Sequence, residues 1–175
     1  MPNYSKKSAD KLATCNKPIQ DLFARVVKHK DNTVICGLRT KAEQEKAFRN
    51  NASKVQFPNS KHNGKAPKHD VSDGIDAAPY PIPKGWGDIN GISKSEISLD
   101  WKERLKFYQF AAIVTFEWSV MQAEDDKYKD WILTWGGDWD RDGDYTDNTF
   151  DDLVHFQIVK AKRKAKKPVE PTEQL

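Results

Sequence analysis

The chain has 175 residues, 31% of them charged, yet its formal net charge is only +3. That length suits one domain, and six Trp, eight Phe and five Tyr supply large apolar side chains for its core. Two cysteines, Cys15 and Cys36, exclude a disulfide framework and are expected to be reduced thiols, and no apolar run is long enough to cross a bilayer.

Residues 1–10 read as a polar lead-in without the apolar stretch of a signal peptide. Ser8 is the expected cap of a helix through Leu12, which Pro18 interrupts. A second helix is expected from about Pro18 to Lys30, where Ile19, Leu22, Phe23, Val26 and Val27 recur at helical spacing. Asp31-Asn32 marks a turn and Thr33 to Gly37 a short strand. Thr40 caps a helix from Lys41 to about Asn50, and Thr40-Lys41-Ala42-Glu43 fits a capping box. Residues 51–68 form a long polar loop, and Gly74 to Ala78, apolar apart from Asp76, a core strand. The Pro- and Gly-rich segment 79–98 is an extended loop. A helix follows from about Leu99 to Met121, with Leu105, Tyr108, Phe110, Ala112, Ile113 and Phe116 as candidate buried positions. Trp131 to Trp135 is a strand, 136–150 an acidic loop and 153–159 a final strand. Helices and strands mix without regular βαβ alternation, so an α+β fold is expected, a small antiparallel sheet flanked by helices. Residues 1–159 make the folded domain, and 160–175 a basic, disordered tail.

Two stretches carry the chemistry. His69 and Asp76 are seven residues apart across a turn that enters a strand, and His155 lies on a second strand. If those strands are neighbours, two imidazoles and a carboxylate converge, the donor set of a catalytic zinc with one position left for water. Asp152, three residues before His155, is the candidate general base. Spacing alone also describes a surface histidine beside a turn aspartate.

Larger patterns surround these residues: His69-x-x-Ser72-x-Gly74-Ile75-Asp76-Ala77-Ala78-Pro79-Tyr80-Pro81, Asp152-x-x-His155-Phe156, Gly37-Leu38-Arg39-Thr40-x-x-x-Gln44 and Gly136-Gly137-Asp138-Trp139. Together they resemble the VanY-type D-alanyl-D-alanine carboxypeptidase metallopeptidases, and within them the phage L-alanyl-D-glutamate endopeptidases, which are endolysins, over roughly residues 8–159. The resemblance implies a Hedgehog/DD-peptidase-like fold and zinc bound by His69, Asp76 and His155. It implies Asp152 as general base and Arg39 as the arginine that stabilises substrate or transition-state charge. Ser60-Lys61-His62 has the family's Ser-x-His form, which makes His62 a rival first ligand; His69 is preferred because its distance to Asp76 keeps the family spacing. The family's late His-x-Glu is here His155-Phe156-Gln157. The implied activity is zinc-dependent hydrolysis of a peptide bond in bacterial peptidoglycan, causing host lysis. A D-alanyl-D-alanine carboxypeptidase and a non-enzymatic wall-binding module are the alternatives.

Asp138, Asp140 and Asp142, with Gly143 behind them, resemble the start of an EF-hand loop, although Thr149 stands where the bidentate Glu belongs. Calcium regulation known in some members of the family carries over to Asp138, Asp140, Asp142 and Asp147. Trp135 and Trp139 are expected to flank the cleft. The tail Lys160 to Lys167 lacks interleaved aromatic residues and does not point to nucleic acid. The expected partner is peptidoglycan, with no stable membrane insertion, for a monomer made in the host cytoplasm and acting on the wall in the periplasm.

Overall fold

The computed structural model describes residues 3–84 and 101–161. The expectations for 85–100, the expected start of the long helix at Leu99 included, and for the tail beyond residue 161 lie outside them. The elements are α1 (Lys6–Leu12), α2 (Lys17–His29), β1 (Asn32–Cys36), α3 (Lys41–Arg49), a 3-10 turn (Lys61–Asn63), β2 (Gly74–Pro79), α4 (Trp101–Glu124), a second 3-10 turn (Asp126–Tyr128), β3 (Trp131–Gly136) and β4 (Asp152–Lys160). The sheet runs β1-β2-β4-β3, with each neighbouring pair antiparallel. The α+β expectation holds. None of the described helices is long and apolar enough to cross a membrane.

Local chemistry sets most boundaries. Thr40 and Glu43 form both halves of the capping box at the start of α3. Ser5, not Ser8, caps α1. Ser8 is buried inside the helix instead, and its Oγ accepts from the Val34 amide at 3.3 Å, tying α1 to β1. On α4 the buried face is Phe107, Phe110, Ala111, Val114, Trp118 and Met121. Of the positions expected from the sequence only Phe110 is fully inside; Tyr108 and Ile113 pack at the core's edge, while Leu105, Ala112 and Phe116 are exposed. Apolar residues such as Leu105, Ala112 and Phe116 also sit on its outer side, so periodicity does not select the inner face.

Phe156 of β4 organises the core. Its ring is fully buried and meets Phe23 of α2 edge-on at 5.8 Å and Phe110 of α4 at 5.9 Å. Ile75 pairs with Phe156 across β2 and β4, so both face the helices. The next pair, Asp76 and His155, therefore faces the other side of the sheet. Arg25 locks α2 to α4 through Glu117 at 2.9 Å and Glu124 at 2.6 Å. Replacing Phe110 by Ala removes a ring the core cannot refill, and the unfolding free energy should fall by about 3–5 kcal/mol in a denaturant titration.

Candidate metal centre

Asp76 and His155 are direct register partners on the two central strands. The third member comes from the 3-10 turn. Ser60 Oγ accepts from the His62 amide at 3.2 Å, and the turn is stitched to both sides. The His62 carbonyl accepts from the Arg39 amide at 2.7 Å, and the Lys61 carbonyl accepts from the Asp73 amide at 2.9 Å. Gly74 permits this approach: a Cβ there would lie 2.9 Å from the Lys61 Cβ and 3.0 Å from His155 Cε1. The result is a cluster in which Asp76 Oδ1 is 3.1 Å from His62 Nε2 and 2.9 Å from His155 Nδ1, with the two nitrogens 3.2 Å apart.

Those separations are close to the edges of about 3.3 Å expected between tetrahedral donors bonded to zinc at about 2.0–2.1 Å. The outer nitrogens are anchored as well. His62 Nδ1 donates to the Gly37 carbonyl at 2.7 Å, and His155 Nε2 donates to Gln157 Oε1 at 3.3 Å. Each imidazole thus turns its other nitrogen inward, hydrogen-bonded to Asp76 here, and loss of that proton would free its lone pair for a metal. The donor chemistry and spacing both fit a divalent ion. Cys36 shares the site: its sulfur and ligand atoms of His62 and Asp76 all lie within 4.8 Å of one another.

The phage L-alanyl-D-glutamate peptidase family model matches residues 2–159. The chain belongs to that family. It is 28% identical over 148 residues to the L-alanyl-D-glutamate peptidase of Escherichia phage T5, covering 82% of this chain and 86% of that protein. The crystal structure of the Serratia marcescens L-Ala D-Glu endopeptidase ChiX shares the fold, with a TM-score of 0.55 and 19% identity over 89% of each chain.

In this peptidase His69 does not join Asp76 and His155, contrary to the expectation from the seven-residue spacing. Its backbone is left-handed at φ 50°, its Nδ1 donates to the Asn63 carbonyl at 2.9 Å, and its ring packs 5.0 Å from Phe57. It braces the loop that presents His62. The Ser60-x-His62 form was the signal for the residue that does converge, and it stands 14 residues before Asp76.

Arg39 lies beside the cluster. Its Nη2 meets Asp76 Oδ2 at 2.6 Å and its Nε donates to Cys36 Sγ at 3.2 Å. Asp152 opens β4 opposite Gly136, where a Cβ would come within 2.4 Å of the Asp152 carbonyl oxygen. Burial alone would lower the Arg39 pKa, but the charge of Asp76, the charge and hydrogen bond of Cys36 and, least, the charge of Asp152 raise it. Asp151 is engaged elsewhere, in an ion pair with Arg104 of α4. Trp139 stands beside the site, 5.7 Å from the His155 ring, whereas Trp135 is a core residue whose Nε1 donates to the Leu153 carbonyl at 2.9 Å. In the acidic loop the carboxylates of Asp138, Asp140 and Asp142 lie within 4.8 Å of one another. Asp147 is not one of those three, but desolvation and the nearby charges of Asp142, Asp140 and Asp144 raise its pKa.

Burial alone would raise the Asp76 carboxyl, but the charges of His62 and Arg39 and the bonds from both histidines hold it well below the usual carboxylate range. Burial alone would lower His62; the Asp76 charge and hydrogen bond outweigh it and push His62 up to about 9. In metal-stripped protein this group, ordinarily at 6.5, adds stability fully below that value and loses it as pH rises through about 9. Thermal unfolding of the metal-stripped protein should therefore show Tm falling from pH 6.5 to 9 more steeply in wild type than in His62→Gln. Parallel curves would contradict the coupling.

Proposed function

We propose that this peptidase is a zinc-dependent endolysin that cleaves the L-alanyl-D-glutamate bond of peptidoglycan stem peptides, with His62, Asp76 and His155 as its metal ligands. The observation that carries the proposal is the convergence of His62 Nε2, Asp76 Oδ1 and His155 Nδ1 within 3.2 Å of one another, each held by a second contact. Family membership supports the bond and the substrate.

His62, Asp76 and His155 would hold the zinc, which when bound would supply a Lewis acid and an acidified water. Asp152, at the head of the strand that carries His155, is placed to act as the general base and would carry a proton toward the leaving amine. Arg39 brings a fixed positive charge to the cluster, where it stabilises the oxyanion as it develops. Gln157 holds His155 in the tautomer that leaves Nδ1 available. Trp139 covers one side of His155.

The same reading has the protein made in the host cytoplasm and acting as a monomer on the wall in the periplasm. A calcium ion held by Asp138, Asp140 and Asp142 would order the loop that leads into Asp152. In that case calcium raises the Tm of zinc-loaded wild type and not of Asp140→Asn, and equal shifts would remove calcium from the account.

Zinc content and lysis of outer-membrane-permeabilised Gram-negative cells test the ligand set. His62→Ala should lose both, while His69→Ala keeps its zinc. Asp152→Asn should keep zinc and lose about 10²–10⁴-fold in kcat. Mass analysis of digested stem peptides should find a cut between L-alanine and D-glutamate; release of free D-alanine instead would mean a carboxypeptidase.

A further inference from the structure

Cys36 is placed in the site by an irregularity of the sheet. β1 pairs Val34 with Ala77, and uninterrupted antiparallel pairing would then set Ile35 opposite Asp76. Instead the register slips by one, and Cys36 stands opposite Asp76. A slip of one residue moves a side chain from one face of a sheet to the other. Cys36, Asp76 and His155 therefore form a single row across three neighbouring strands, on the face that His62 covers.

We propose that Cys36 is a fourth protein donor to the metal, so that the loaded resting site holds two histidines, one aspartate and one thiolate. This rests on the ligand set given above. In a tetrahedral zinc site a sulfur bonded at about 2.3 Å stands about 3.6 Å from nitrogen or oxygen donors. The Cys36 sulfur already lies within 4.8 Å of ligand atoms of His62 and Asp76, so about an ångström of side-chain movement closes the gap to those two donors. Arg39 Nε, 3.2 Å from the sulfur, supplies the outer hydrogen bond that orients a ligating group. The thiol proton passes to solvent as the sulfur–metal bond forms.

Three protein ligands leave a catalytic zinc open, and four close it. Sulfur in the fourth position holds the site shut until water or substrate displaces it. The arrangement also gives the site a soft donor, which favours zinc over magnesium or calcium.

Cobalt(II) loaded in place of zinc reads the donor set directly. Wild type should show visible d–d bands of a four-coordinate ion together with a near-ultraviolet thiolate-to-cobalt charge-transfer band. Cys36→Ser should keep the d–d bands and lose the charge-transfer band. Cys15→Ser should keep both, since Cys15 is fully buried beside Gly74. A second readout needs no variant: zinc should slow iodoacetamide alkylation of Cys36 in wild type at least tenfold, measured on the Cys36 peptide. Cobalt d–d bands without charge transfer, or alkylation unaffected by zinc, would overturn the inference while leaving the metal site intact. No cobalt binding at all would overturn the ligand set and this inference with it.

Discussion

The site depends on one buried carboxylate. Asp76 sits in the middle of the sheet on β2, and its desolvation is offset by His62, His155 and Arg39 together. A charge in that position is tolerated only when paired on every side. The pairing fixes two things at once. It fixes the fold, because the partners come from β4, the 3-10 turn and the segment after β1, far apart in sequence. It also fixes the donors, because the atoms that neutralise Asp76 in the absence of metal are those that would surround a metal when one binds. Protons and metal compete for the same cluster, which couples ion affinity to pH.

Two breaks in the sheet's regularity then bring the chemistry to Asp76. One, in β1, sets Cys36 opposite it. The other lies where β3 and β4 lose register after the Trp135–Phe156 pair, so that Gly136 faces Asp152. Without that second slip Gly136 would face His155, and Asp152 would stand three residues further along the strand. Bulges of this kind re-aim side chains beside active sites. The opposite face of the same strands stays regular, with Ile75 and Phe156 packed under α2 and α4.

Much of this was legible in the sequence. The α2 face, the capping box at Thr40, the strand through Asp76 and the strand through His155 all follow from periodicity and cap chemistry, and the motifs identify the family. Asp76 and His155 are legible because their donor chemistry falls on recognisable strands, and Arg39 because its Gly37-Leu38-Arg39-Thr40 motif resembles the family's. His62 was named only as a rival, because spacing along a chain does not report how a long loop folds. Residues 61–73 double back so that His69 bonds to the Asn63 carbonyl and His62 takes the inner place. Sequence alone leaves Cys36 an ordinary thiol, because a one-residue slip in strand pairing leaves no mark in composition. The inner face of α4 was misread for a related reason: a helix with apolar residues on its outer side as well carries little directional signal.

The central claim is that His62, Asp76 and His155 hold one metal ion. Crystals of zinc-loaded protein, measured on both sides of the zinc absorption edge, test it most directly. The account predicts a single anomalous peak at about 2.0–2.2 Å from His62 Nε2, Asp76 Oδ1 and His155 Nδ1. A peak coordinated by His69, or none within reach of Asp76, would contradict it.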